Sequence, residues 1–267
     1  MLVALDVDGT IVDHGGRLSP AVAEAVRAVA AAGHHVVIAT GRSIVATVPV
    51  ATLLGLTGGY AVCSNGAVTL RLDPGSPGGY AVLDTVTFDP RPALTLLRRE
   101  MPGALVAVED LGVGFKVSGR FPDGELGGQQ TVVSWEQLVA SPVTRVTLRM
   151  PDVEPEDFMA HVERIGLHEV SYAVGWTAWL DINPEGVSKG STLEQLRRRL
   201  GVEPGDTVAV GDQRNDVEML RWAARGVAMG NAPGPVQQMA DEVTGPVQDD
   251  GLVPVLRSLL TRPGPTG

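Results

Sequence analysis

An apolar run from Met1 to Leu5 breaks off into Asp6-Val7-Asp8-Gly9-Thr10, the pattern of a strand that ends in a polar turn. Ser19-Pro20 supplies a capping residue and a first-turn proline, Val22, Val26 and Val29 recur at helical spacing, and Gly33 marks the stop. His35 to Thr40 is a second short apolar strand. Strand, helix and strand in that order predict a βαβ unit and a parallel sheet, with functional loops at the carboxyl ends of its strands. A helix from Ser43 and a strand from Tyr60 to Ser64 extend the pattern, and Asn65-Gly66 between Val62 and Val68 predicts a hairpin.

The pattern changes after the turn-rich stretch from Asp73 to Gly79. A helix is predicted from Pro90 to Met101, with strands over Ala104 to Glu109, Gly114 to Ser118 and Val143 to Met150. A second helix, Glu154 to Ile165, precedes strands at Glu169 to Val174 and Trp179 to Ile182. Helices followed by paired strands describe an α+β unit. After Pro184 the alternation returns, with helices at Ser191 to Leu200 and Asn215 to Arg225 and strands at Thr207 to Val210 and Val227 to Met229. The predicted fold is therefore α/β, a parallel-sheet core in two segments, residues 1–84 and 183–267, interrupted by an inserted α+β domain at residues 85–182. Residues 261–267, rich in proline and glycine, read as a frayed tail.

Composition narrows the function. A 44% hydrophobic content over 267 residues fills a real core, and a net charge of −10 sets the whole-molecule field against nucleic acid and anionic membranes. No signal-like segment or bilayer-length apolar run is present, so a cytoplasmic protein is expected. The lone cysteine, Cys63, rules out an internal disulfide and sits in an apolar stretch, where it reads as a small buried hydrophobe. Lys116 and Lys189 are the two lysines among otherwise all-arginine cations.

In an extended segment Asp6 and Asp8 project to one side, with the Val7 amide beside them. Such a pair can divide labour, one carboxylate attacking and the other moving a proton, if a cation offsets their repulsion; a plain Asp-Gly turn is the alternative. Val208 to Asp212 repeats the pattern, and Asp216 follows one helical turn later. Together these acids offer oxygen donors suited to Mg²⁺, although acids at a helix start also favour the dipole without a metal. Thr40-Gly41-Arg42 closes the second strand, where a hydroxyl and backbone amides can hold a phosphate oxygen or merely cap a helix. Lys189, ahead of Ser191-Thr192-Leu193-Glu194 with its capping-box pattern, can bring positive charge to the same sheet edge. Other metal and nucleotide motifs fail on spacing. A calcium loop would need glycine where Ile11 stands and glutamate where Arg17 stands, Ser188 rather than glycine stands immediately before Lys189 where a P-loop requires glycine, and His14, His34, His35, His161 and His168 form no ligand set.

Four segments in order resemble the haloacid dehalogenase superfamily, specifically its Cof-like phosphatases with a large α/β cap: Asp6-Val7-Asp8-Gly9-Thr10, Thr40-Gly41-Arg42, Gly186-Val187-Ser188-Lys189-Gly190 and Gly211-Asp212-Gln213-Arg214-Asn215-Asp216. Asn65-Gly66 and Gly230-Asn231-Ala232 add to the likeness. The resemblance implies a Rossmann-like core in which Asp6 attacks a phosphate ester to form an aspartyl-phosphate. Asp8 would protonate the leaving oxygen and later activate water. It further implies Mg²⁺ held by Asp6, the Asp8 backbone carbonyl and Asp212, with Asp216 as ligand or support. Thr40, Gly41, Lys189, Asn215 and the Val7 backbone would hold the phosphoryl group. Gln213-Arg214 departs from the smaller or less basic pair of many relatives. The expected activity is Mg²⁺-dependent hydrolysis of a small phosphorylated metabolite, a sugar phosphate first; a phosphosugar mutase or a ligand-sensing module on the same fold are the alternatives. In the cap, Trp176, Trp179, Phe115 and Lys116 are candidates for substrate contact or for packing.

Overall fold

The structure, a computed structural model, describes residues 1–165, 170–174 and 178–260. Trp176, His168 and the tail at 261–267 lie outside the described residues. In chain order the elements are β1 (Leu2–Leu5), α1 (Pro20–Ala31), β2 (His35–Ala39), α2 (Ile44–Leu54), β3 (Tyr60–Cys63), β4 (Val68–Leu72) and β5 (Tyr80–Thr85). Next come α3 (Arg91–Glu100), β6 (Leu105–Asp110), β7 (Gly114–Val117), β8 (Gln129–Val132), α4 (Trp135–Leu138), β9 (Val146–Arg149), α5 (Pro155–Ile165), β10 (Val170–Val174) and β11 (Trp179–Pro184). The chain ends with α6 (Lys189–Leu200), β12 (Thr207–Gly211), α7 (Val217–Trp222), β13 (Arg225–Ala228), α8 (Gly234–Gln237), β14 (Glu242–Val243) and α9 (Leu252–Leu260). Two units result. One comprises Met1–Gly41, Thr47–Asp84 and Ser188–Gly267, the other Arg42–Ala46 and Thr85–Val187.

The first unit is built on an eight-stranded sheet of order β14-β13-β12-β1-β2-β3-β4-β5. Its strands from β14 to β3 are parallel, and β4 turns back antiparallel to β3, as Asn65-Gly66 predicts. Leu2, Ala4, Val37, Ala39 and Ala209 pack with Leu193 and Leu196 of α6 and Met219 and Leu220 of α7. The alternating set Val3, Leu5, Val36, Ile38, Val208 and Val210 is buried as well. Both faces are covered, which is why these strands read as continuous apolar runs rather than as alternation. The order also sets the function-bearing edge. β1 lies between β2, which follows it in sequence, and β12, which joins from the far end of the chain, so the strand order reverses between β1 and β12.

The second unit carries a six-stranded sheet, β10-β11-β9-β6-β7-β8. Val106, Val108, Val146, Leu148, Leu180 and Ile182 on one face pack with Leu94 and Leu97 of α3 and Phe158 and Val162 of α5. Lys116 pairs in register with Val108, which puts it on that helix-covered face. The other face carries Ala107, Phe115 and Val117, covered by Phe121 and Leu126 from the loop between β7 and β8. An Arg149 Nε contact of 3.1 Å to Glu125 ties the same loop to the sheet. Trp179 meets Phe121 edge to face, with ring centres 6.1 Å apart, so its packing is internal to this unit.

Candidate active site

Parallel neighbours release their chains at one sheet edge. Residue 6 follows β1, residue 40 follows β2, residue 64 follows β3 and residue 212 follows β12, so the predicted residues of four distant segments converge. The Asp6 amide donates to the Val210 carbonyl at 3.0 Å and continues the ladder to the point where the carboxylates begin. Gly9, with φ +81°, turns the chain directly above Asp212, and a Cβ there would overlap the Asp212 carboxylate. The close approach of these two segments therefore depends on glycine.

Among the described residues, Asp6, Asp212 and Asp216 bring carboxylate oxygens within 4.8 Å of one another. Lys189 Nζ donates to Asp6 Oδ1 and to Asp216 Oδ1, each at 2.6 Å, and the lysine is 1% exposed. Asp216 turns its other oxygen to the backbone amides of Asp212 (2.9 Å) and Gln213 (2.8 Å), so it organises the loop that carries Asp212. Asp212 accepts from Thr10 Oγ1 (3.4 Å), Gln213 Nε2 (2.9 Å) and Asn231 Nδ2 (3.1 Å). Asp8 differs from all three. Its side chain is exposed and stands outside the buried carboxylate group.

Burial and charge disagree here. Burial, joined by the negative charge of Asp216, raises the Asp6 carboxyl well above its ordinary value despite the adjacent Lys189 ammonium. The same two causes raise Asp212 to about 6. Burial alone would weaken the Lys189 charge, but Asp216 and Asp6 overcome it and hold the ammonium above its ordinary range. One ammonium among three buried carboxylates leaves an excess of negative charge, which is costly in a poorly solvated site. An all-oxygen, acid-rich donor set that lacks countercharge fits a hard divalent cation.

Beside the acids lies an amide cluster. Asn215 Nδ2 donates to Asn65 Oδ1 at 2.9 Å, and a Cβ at Gly41 would stand 3.0 Å from Asn65 Oδ1 and 3.5 Å from Asn215 Nδ2. Gly41, Asn215 and the buried Thr40 are thus brought together, with Asn65 as a member that its hairpin signal alone does not reveal. Asn231 is a second addition, donating to both the Gly9 carbonyl (2.9 Å) and Asp212. Among the described residues the carboxylate group that could hold a metal consists of aspartates alone. Of the unusual pair, Gln213 holds Asp212 while Arg214 is exposed. Lys189 also differs from the capping prediction. Ser188, not Ser191, caps α6, its hydroxyl accepting from the Ser191 amide at 3.1 Å, so Lys189 opens the helix. A Cβ at Gly190 would be 2.8 Å from the Glu218 carbonyl, so the first turn of α6 lies close against the start of α7 only because this residue is glycine.

The profile of the haloacid dehalogenase-like hydrolases matches residues 3–77 and 125–256, most of the chain. The protein belongs to the haloacid dehalogenase-like hydrolase family. The pyridoxal phosphate phosphatase YbhA of Escherichia coli is 29% identical over 281 residues, covering 97% of this chain and 98% of that protein. A phosphoglycolate phosphatase of Methanoculleus marisnigri is 29% identical over 255 residues, covering 94% and 93%. Among solved structures, a haloalkanoate-superfamily phosphatase from Bacteroides thetaiotaomicron superposes with a TM-score of 0.78 at 25% identity, over 96% of this chain and 94% of that one. Among the described residues no helix is long and apolar enough to cross a membrane.

In this haloacid dehalogenase-like hydrolase Lys189 is a structural countercharge whatever else it does. Replacing it in the variant Lys189→Met leaves Asp6 and Asp216 buried without their ammonium, and urea unfolding at pH 8 is expected to record a loss of about 3–5 kcal/mol. The loss should shrink as pH falls, because Asp6, whose carboxyl burial holds above its ordinary value, takes up a proton and no longer needs the ammonium. An unchanged stability at pH 8 would remove the ion pair from the account.

Proposed function

We propose that this phosphoric monoester hydrolase is a Mg²⁺-dependent phosphatase of a small phosphorylated metabolite, with Asp6 as nucleophile and Asp8 as acid and base. The observation that carries the reading is the buried group of Asp6, Asp212 and Asp216 around Lys189, at the point where the strand order reverses. Asp6, the Asp8 carbonyl and Asp212 would hold Mg²⁺, with Asp216 fixing the Asp212 loop from behind. When bound, the ion supplies countercharge to the carboxylates and to the phosphoryl oxygens.

The chain's own residues account for the rest. An Asp6 oxygen attacks phosphorus and the bond from phosphorus to the ester oxygen breaks, leaving an aspartyl-phosphate. Asp8, exposed where a leaving group can reach it, donates its proton to that oxygen. Water then attacks the phosphoenzyme, Asp8 takes the proton, and the bond from phosphorus to Asp6 breaks to free inorganic phosphate. Lys189 orients Asp6 and favours its charged form against the opposing effect of burial. Thr40, Gly41, Asn215 and the Val7 amide hold the phosphoryl oxygens, since phosphoryl transfer depends mainly on alignment and charge neutralisation.

The test is phosphate release from a panel of sugar phosphates, phosphoglycolate, pyridoxal phosphate and nucleotides, run with magnesium and then with chelator. Release that chelator abolishes and magnesium restores is the expected result, with sugar phosphates the first class in which turnover is sought. An isomerised sugar phosphate without stoichiometric phosphate would replace this reading with a mutase, and inertness across the panel would replace it with ligand sensing.

A further inference from the structure

We infer that Asn65 is a positioning residue of the phosphoryl site, holding the Asn215 amide in its working orientation; this rests on the reading of Thr40, Gly41 and Asn215 as phosphoryl-binding groups. The turn joining β3 to β4 is not an ordinary hairpin end. Ser64 and Asn65 adopt left-handed backbone conformations in succession, with φ of 50° and 54°, and Gly66 follows with φ of 108°. Left-handed backbone costs a residue other than glycine roughly 1–2 kcal/mol, asparagine being among the more tolerant. The turn is also buried, with Asn65 6% exposed and Ser64 fully enclosed.

The burial comes from three distant segments. The Asn65 amide donates to the Thr40 carbonyl at 3.1 Å, which fixes the turn to the end of β2. Thr192 Oγ1 donates to the Gly66 carbonyl at 2.8 Å, and a Cβ at Gly66 would overlap the Ser188 carbonyl, so the turn is pressed against the start of the helix that carries Lys189. Asn65 Oδ1 accepts from Asn215 Nδ2 at 2.9 Å beside Gly41. Glycine at position 65 would meet the backbone demand at lower cost. What glycine lacks is the amide side chain, and the partner of that side chain is a residue of the site.

The chemistry of that contact is specific. An asparagine nitrogen carries two hydrogens and its oxygen carries none. Accepting one of the two at Asn65 Oδ1 sets the plane of the Asn215 amide and directs its remaining hydrogen to a phosphoryl oxygen seated at Thr40 and Gly41. Without Asn65, the Asn215 amide turns about its terminal bond and spends part of its time with oxygen toward the anion, which repels it.

Asn65→Gly separates this role from a structural one, because it relieves the backbone and removes only the amide. The expected result is a thermal midpoint equal to or above wild type. Inorganic phosphate, titrated calorimetrically with magnesium present, should bind about tenfold more weakly, the size of one lost oriented hydrogen bond. The kcat/KM for p-nitrophenyl phosphate should fall by a similar factor. In an Asn215→Ala background the same substitution should change neither quantity further, since its route of action is gone. Wild-type phosphate affinity in Asn65→Gly, or losses that multiply in the double variant, would overturn the positioning role alone. A wild-type protein that turns over no monoester and binds no phosphate would overturn the phosphoryl-site reading, and this inference with it.

Discussion

Asp6→Asn is expected to lose phosphatase turnover by about a thousandfold or more while becoming no less stable, and in metal-free buffer more stable. The two halves come from different physics. Turnover falls because a neutral amide neither attacks phosphorus at a useful rate nor leaves from it, so acid quenching of labelled substrate should trap no phosphoenzyme. Stability holds because the asparagine oxygen can still accept from Lys189, while the substitution removes one of three buried negative charges that share a single ammonium. Asp6 already resists ionisation, owing to burial and then to Asp216, so its charge is a burden on the folded protein. Normal turnover with a trapped phosphoenzyme in the variant would remove Asp6 from the nucleophilic role. A large fall in its thermal midpoint would show instead that the carboxylate is mainly a structural partner of Lys189.

The second large effect is the joint dependence on magnesium and pH. Asp212 has an ordinary value near 3.8 and is raised to about 6 in the folded protein by burial and by the charge of Asp216. A carboxyl raised on folding binds more protons in the native state than in the unfolded one. Its contribution to stability is therefore complete below the ordinary value and is lost as pH rises through about 6. Asp6 is shifted in the same direction. Lys189, shifted upward from an already high value, stays charged across this window and adds no slope. Metal-free protein should accordingly melt at a lower temperature at pH 8 than at pH 5. Magnesium needs the deprotonated carboxylates, so it should raise the midpoint by about 5 °C or more at pH 8 when present at roughly a hundred times its dissociation constant, and by much less at pH 5. Chelator should reverse the gain and abolish turnover together. Equal shifts at the two pH values would mean that the ion binds elsewhere.

The sequence carries the site more clearly than it carries the edges of the fold. Asp6, Thr40 and Asp212 are legible because each terminates a short apolar strand, and parallel pairing brings strand ends to one edge without further information. β5 and β8 are not legible in that way. Both sit at sheet margins, and Tyr80–Thr85 and Gln129–Val132 keep most of their side chains out of the core, so hydrophobic patterning marks neither. The sequence places the start of α6 at Ser191, where a capping-box pattern with Glu194 is visible, whereas Ser188 caps the helix through reciprocal hydrogen bonds with Ser191 that equally short side chains can make one turn earlier. Asn65 and Asn231 stand out in the sequence as part of the family likeness, but their site contacts are not legible, for a related reason. Asn-Gly signals a turn by itself, while the partners that give these amides their site contacts, Asn215, Gly9 and Asp212, lie far away in sequence.

The joining of β1 to β12 has a consequence for biosynthesis. Asp6 leaves the ribosome long before its ammonium partner Lys189, which follows 183 residues later, and Asp212 emerges later still. A nascent chain can make the hairpin of β3 and β4 and can complete the inserted sheet while its amino-terminal acids remain without the groups that define their chemistry. A ribosome stalled anywhere short of Asp212 thus displays a chain whose group of three buried carboxylates is still incomplete.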